Sequence, residues 1–159
     1  MKTLADAFEH TLKDMYYAEN AIVKALPKLI KEVSQADFKQ ALELHLKETK
    51  EQIKTLDKVF KSIDQKPSGE KCDAIEGLLK ETDGIIEDAK GTVAKHASLA
   101  AICQAVEHYE ISRYGTLREW AKALKNDEAH TLLTEILDME KAANSKINAI
   151  AIDSLNRAA

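Results

Sequence analysis

An all-α bundle of four long helices and one shorter helix is the fold this sequence predicts, and three observations lead to it. Apolar residues recur at spacings of three and four over long stretches, and no alternating run suits a strand. The composition is 45% hydrophobic and 31% charged but only 5% aromatic, a balance of Ala, Leu, Lys and Glu that favours helix. Breakers are scarce, since five Gly and two Pro leave few places for loops.

The first helix is expected from about Leu4 to Val33, where Leu4, Phe8, Leu12, Met15, Ile22 and Leu26 follow one stripe. Completing that rhythm between Met15 and Ile22 lands on Glu19. Pro27 is expected to bend or interrupt the helix, because it supplies no N–H and clashes with the preceding turn. "SQAD" marks a break, with Ser34 or Asp37 placed to cap the second helix. That helix should span about Asp37 to Asp64, with Leu42, Leu46, Thr49, Ile53, Leu56, Phe60 and Ile63 inward and His45, Glu48 and Gln52 at the stripe's edge. "DQKPSGEK" is a loop containing Pro67 and Gly69. A shorter third helix, about Cys72 to Ala89, is weakened by Gly77 and Gly84 and must owe its order to packing. The fourth covers about Ser98 to Leu124, with Leu99, Cys103, Val106, Tyr114, Leu117, Ala121 and Leu124 on its stripe and Glu110 between Val106 and Tyr114. The fifth, about Glu128 to Leu155, shows Leu133, Ile136, Ala143, Ile147 and Ile150, and its rhythm passes through Glu140.

Bulk properties narrow the function. One domain over residues 1–159 fits the length, and a chain of this size buries roughly 70% of its unfolded surface without metal or disulfide staples. A net charge of −4 and a pI near 5.8 offer no basic footprint for nucleic acid. No apolar run reaches the roughly 18–20 residues that a membrane span needs. Cys72 and Cys103 have neither metal-finger spacing nor the density of a secreted disulfide scaffold, and no signal-like segment opens the chain, so a reduced, cytoplasmic setting is expected. Both cysteines read as small core residues. His10, His96, His108 and His130 fall off the stripes and read as surface residues, and Tyr16, Tyr17 and Tyr109 as core aromatics.

The chemistry lies in the glutamates. Glu19, Glu110 and Glu140 each occupy a position where helical rhythm asks for an apolar side chain, and Glu48 sits at the margin of a fourth stripe. A buried carboxylate is costly unless protonated or paired, so several that converge need a shared positive charge. Residues three or four apart point the same way, as Glu107 and Glu110 do, and as His45 and Glu48 do. Two helices giving one carboxylate each and two giving pairs make the ligand pattern of a dinuclear metal site in a four-helix bundle. The alternative is that these glutamates are solvated, or paired with bases such as Arg113 and Lys141. Tyr114, one turn beyond Glu110, is placed to hydrogen-bond a ligand or carry an electron.

At these residues the chain resembles a known family. "DMYYAEN", "HLKETKEQI", "CDAIEGLLKE", "VEHYEISRYGTL" and "EILDMEKA", one from each helix in turn, are similar to segments of the YciE/YciF family of bacterial ferritin-like stress proteins, and closer to the YciF branch. The likeness covers nearly the whole chain, and its fourth-helix segment is the most specific. It implies a ferritin-like, rubrerythrin-like bundle with an additional shorter helix, a homodimer, and a centre of two divalent transition-metal ions, iron or manganese. Carried over by position, the ligands are Glu19, Glu48, Glu107, Glu110 and Glu140, with His45 beside them. Glu107 or Glu48 would bridge, Glu19, Glu110 and Glu140 would be terminal, and Thr49 and Gln52 would hydrogen-bond Glu48. The wider ferritin-like pattern has Glu-x-x-His on its second helix, whereas here Glu51 follows Glu48 and the histidine precedes it. Such a site is rich in carboxylate and poor in imidazole, which suits harder cations. The implied activity is oxidation chemistry on peroxide or oxygen, whether ferroxidase, peroxidase or catalase-like. The alternative is a non-enzymatic helical dimer module held by structural ion pairs.

Overall fold

The computed structural model describes residues 1–159 and contains α1 (Leu4–Glu32), α2 (Ala36–Lys61), α3 (Asp73–Asp88), α4 (Lys95–Ala123) and α5 (Asp127–Ile150). Beyond α5 the chain widens into a π-helical turn over Ala151–Leu155 and ends in a short helical turn, Asn156–Ala158. Ala151 and Leu155, four and eight residues beyond Ile147, stay buried with it through this turn. No strand forms. Four long helices and one shorter one are what the apolar rhythm predicts.

The four long helices close a ring in which α1 touches α2, α2 touches α5, α5 touches α4 and α4 touches α1. Their inward faces make one core that includes Phe8, Leu12, Met15, Phe38, Leu42, Leu56, Leu99, Leu117, Leu133 and Ile136. Helix α3 stands outside the ring, packed on α1 and α4. It runs in the same direction as α1, since Tyr17 meets Glu76 and, eleven residues further along α1, Lys28 meets Asp83. It thus carries the chain back along the bundle between α2 and α4, the long crossover that ferritin-like bundles use. Its start is fixed by Gly69, on which a Cβ would lie 3.1 Å from the Cα and Cβ of Tyr17, so the crossover loop can rest directly on the α1 backbone.

Three local expectations need correction. Pro27 does not interrupt α1: it lies on the exposed face, while Leu26 and Leu29 on either side are buried and hold the last turn in place. The cap of α2 is neither Ser34 nor Asp37 but Gln35, whose side-chain oxygen accepts the Phe38 N–H at 2.5 Å. Ser34 instead donates its N–H to His96 Nε2 at 3.2 Å, and Lys95 reaches Glu32 at 2.6 Å. Those two partners start α4 at Lys95, three residues before the expected Ser98.

Candidate metal centre

The inward face of α2 is rotated from the one that apolar residues suggest. Phe38, Leu42, His45, Thr49, Gln52, Leu56 and Val59 are buried, a strict alternation of four and three, while Leu46 and Ile53 are half-buried. His45 and Gln52 therefore stand in the middle of the stripe, about 20° apart around the helix axis, and Glu48 lies about 60° from His45. The polar members of the face are the ones that look into the ring.

Opposite them, α1 contributes Glu19, α4 contributes Glu107 and Glu110, and α5 contributes Glu140. All four carboxylates are at most 1% exposed, and His45 is 5% exposed. Ligand atoms of Glu19, Glu110 and Glu140 lie within 4.8 Å of one another, and so do those of His45, Glu107 and Glu110. Glu110 belongs to both groups. The family resemblance makes it a terminal ligand; the geometry makes it the side chain the two halves share. Glu48 joins neither group. It sits half-buried at the margin, close enough for its charge to raise Glu107 and Glu140.

Hydrogen bonds orient part of the cluster and leave the rest bare. Tyr114, fully buried, donates its hydroxyl to Glu19 Oε1. Gln52 Nε2 donates to Glu140 Oε1 at 2.5 Å, so its partner is Glu140 and not the expected Glu48. Thr49 likewise does not serve Glu48, because its hydroxyl donates back to the His45 carbonyl at 2.8 Å. His45 Nδ1 stands 3.5 Å from Glu107 Oε1 without a hydrogen bond. One oxygen each of Glu19, Glu107 and Glu140, and both oxygens of Glu110, have no hydrogen-bond partner. Buried polar atoms are ordinarily satisfied, so five orphaned carboxylate oxygens in one cluster call for a shared cation.

The electrostatics agree. Burial, followed by the charge of Glu140, holds Glu19 and Glu110 well above the ordinary carboxylate value, and raises Glu107 as well. Burial also raises Glu140, opposed by its hydrogen bonds. Burial drops the His45 imidazole to about 4, leaving it neutral and able to offer a lone pair. None of the chain's ion pairs joins a lysine or arginine to these four carboxylates: Lys141 faces Asp138 at 4.0 Å, and Arg113 stacks over Tyr109 at 5.4 Å. The four negative charges of ionised Glu19, Glu107, Glu110 and Glu140 equal the positive charge of two divalent cations. The donor set therefore fits two divalent cations, with His45 its single imidazole.

Tyr114 is the group whose removal isolates one contact. Tyr114→Phe takes from Glu19 its only hydrogen bond without changing the packed volume, and should cost about 1–2 kcal/mol, or roughly 5 °C in the unfolding midpoint. An unchanged midpoint would show that the hydroxyl does not support Glu19.

The cysteines match their expected places. Cys103 is buried with its thiol pushed up to about 12, and Cys72 is buried with its sulfur 3.0 Å from the Tyr109 hydroxyl. No helix is long and apolar enough to cross a membrane.

Comparison with known proteins adds three findings. Residues 3–159 match the family model described as a domain of unknown function, DUF892. The chain is 41% identical to protein YciF of Escherichia coli strain K12 over 160 residues, covering 100% of this chain and 96% of that protein. Among solved structures, the E. coli stress protein YciF superposes with a TM-score of 0.94 at 41% identity over 99% of both chains. YcfI from Rhodopseudomonas palustris superposes with a TM-score of 0.90 at 49% identity, over 92% of this chain and 94% of that one. A Xanthomonas campestris protein at 17% identity and a TM-score of 0.78 shares the fold.

Proposed function

From the premise that this chain belongs to the YciF family, the one described by the DUF892 model, we propose that it is a ferritin-like stress protein holding two iron or manganese ions and acting on peroxide or oxygen. The observation that carries the reading is Glu110, fully buried, shared by both ligand groups, with neither oxygen hydrogen-bonded. A buried structural ion pair would have supplied a base at that position, and none is there.

Glu19, Glu110 and Glu140 would hold one ion, and His45, Glu107 and Glu110 the other. When bound, such a pair supplies the one-electron changes that peroxide or oxygen chemistry needs. The chain's own residues prepare the place. Tyr114 keeps a proton at Glu19 Oε1, and Gln52 fixes the rotation of the Glu140 carboxylate through Oε1. Neutral His45 offers nitrogen without adding charge, while the burial of the four carboxylates strengthens every electrostatic contact among them.

Isothermal calorimetry with manganous or ferrous ion tests this directly. About two equivalents per chain should bind, and Glu110→Ala together with Glu140→Ala should abolish the heat. No binding by the wild-type chain would remove the metal reading and return the glutamates to a structural role. The same family relationship bears on assembly. Exposed Ile152 and Leu44, at 52% and 40%, are apolar groups available to a symmetric contact. Light scattering should report a dimer, and a monomer at micromolar concentration would count against it.

A further inference from the structure

The crossover helix encloses a second feature. Between α1, α3 and α4 lies a cavity of about 480 Å³, within the roughly 300–1,000 Å³ range of small-molecule sites. Ile22, Leu26, Leu29, Leu79, Ile86 and Val106 line its walls. Lys24, Lys28 and Asp83 stand at the exposed mouth, and the inner lining includes His45 and Glu107. Of its other polar lining residues, Asn20, Glu76 and Thr82 are already hydrogen-bonded to helix partners. His45 Nδ1 and Glu107 Oε2 are buried without a hydrogen-bond partner, so the apolar cavity ends on two unsatisfied members of the candidate centre. Two polar ties hold α3 in place over it: Tyr17 donates to Glu76 at 2.7 Å, and Lys28 to Asp83 at 2.6 Å.

We propose that this cavity binds the alkyl or aryl body of an organic hydroperoxide and presents its oxygen-bearing head to His45 and Glu107. The inference rests on the proposed metal centre for the identity of the head, and on the cavity alone for the apolar body. Hydrogen peroxide needs only a narrow polar path to the centre. An apolar lining left open to water, by contrast, costs stability in proportion to the apolar surface exposed, and here the cost falls on the one side of the ring that an extra helix covers. The occupant that recovers it is apolar, with a single polar group at one end.

Cumyl alcohol, the unreactive counterpart of an aryl hydroperoxide, serves as the probe on the metal-free chain, followed by calorimetry and by protein NMR shifts at Leu79 and Val106. Saturable binding of one molecule per chain is expected. Ala25→Phe, which fills the cavity from α1, should weaken it by about tenfold or more while the metal-dependent rise in unfolding temperature stays intact. Ala21→Leu, a smaller intrusion, provides a second filled variant, and the retained metal response shows that each variant has folded. A metal response without alcohol binding, or equal binding by filled and wild-type chains, overturns the cavity proposal and leaves the centre standing. Alcohol binding without any metal response overturns the centre instead, and the hydroperoxide with it.

Discussion

At pH 7.5, saturating manganous or ferrous ion raises the unfolding midpoint by roughly 10 °C or more, and chelator reverses the rise. A ligand that binds only the folded state adds about 2.7 kcal/mol per site at a hundredfold excess over its Kd, and a chain of this length shifts by roughly 2–4 °C per kcal/mol. The pH dependence has a defined sign in each state. In the metal-free chain Glu19, Glu107, Glu110 and Glu140 hold their protons above the ordinary value of 4.5, so the folded state binds more protons than the unfolded one. Their contribution is fully present at low pH and is lost as pH rises through the raised values. His45 acts oppositely, but only between about 4 and its ordinary 6.5, because its folded affinity for protons is depressed. Above pH 6.5 the carboxylates act alone, and the metal-free midpoint should fall steadily. Metal binding needs those carboxylates ionised, so the stabilisation it gives should grow over the same interval. Melts at pH 6.5 and 8.5, with ion and with chelator, check both trends. Coincident curves at both values would leave the cluster without a metal role.

Glu110→Gln separates stability from function in one substitution. The amide has nearly the volume of the carboxyl but does not titrate, so the metal-free variant escapes the cost of burying a proton-binding group. It should be more stable than wild type at pH 8, by an amount that grows by up to about 1.4 kcal/mol for each step of one in pH. It should also lose about 100-fold or more in metal affinity, because the side chain common to both ligand groups no longer carries charge. Chemical denaturation with and without manganous ion measures both. A variant that is destabilised at pH 8, or that retains metal-dependent stabilisation, contradicts the placement of Glu110.

The number and type of helices were legible because their signal is repeated many times. The burial of Glu19, Glu110 and Glu140 was legible because each interrupts an otherwise apolar stripe. The face of α2 was misread for the same reason: its true stripe passes through His45, Thr49 and Gln52, three polar residues in succession, so a count of apolar side chains turns the helix toward Leu46 and Ile53. Spacing of four and three from Phe38 to Val59 was the signal that could have corrected it. The early start of α4 was not legible at all, since it depends on Lys95 and His96 meeting Glu32 and Ser34, residues more than sixty positions earlier. The cavity under α3 is likewise a property of how helices stand together, and no local pattern encodes it.

The bonds that orient the cluster join residues far apart in the chain, with 95 positions between Tyr114 and Glu19 and 88 between Gln52 and Glu140. During synthesis, Glu19 and His45 emerge from the ribosome long before Glu110, and Glu140 comes last of all. A growing chain thus offers an ion only scattered ligands, any of which the most competitive metal in the cell could seize. Once all four helices have closed, the choice would pass to a buried cluster of defined donors. On the proposed metal reading, the chain would assemble with its carboxylates protonated and load afterwards, so that selection of the metal would belong to the finished fold and not to the nascent chain.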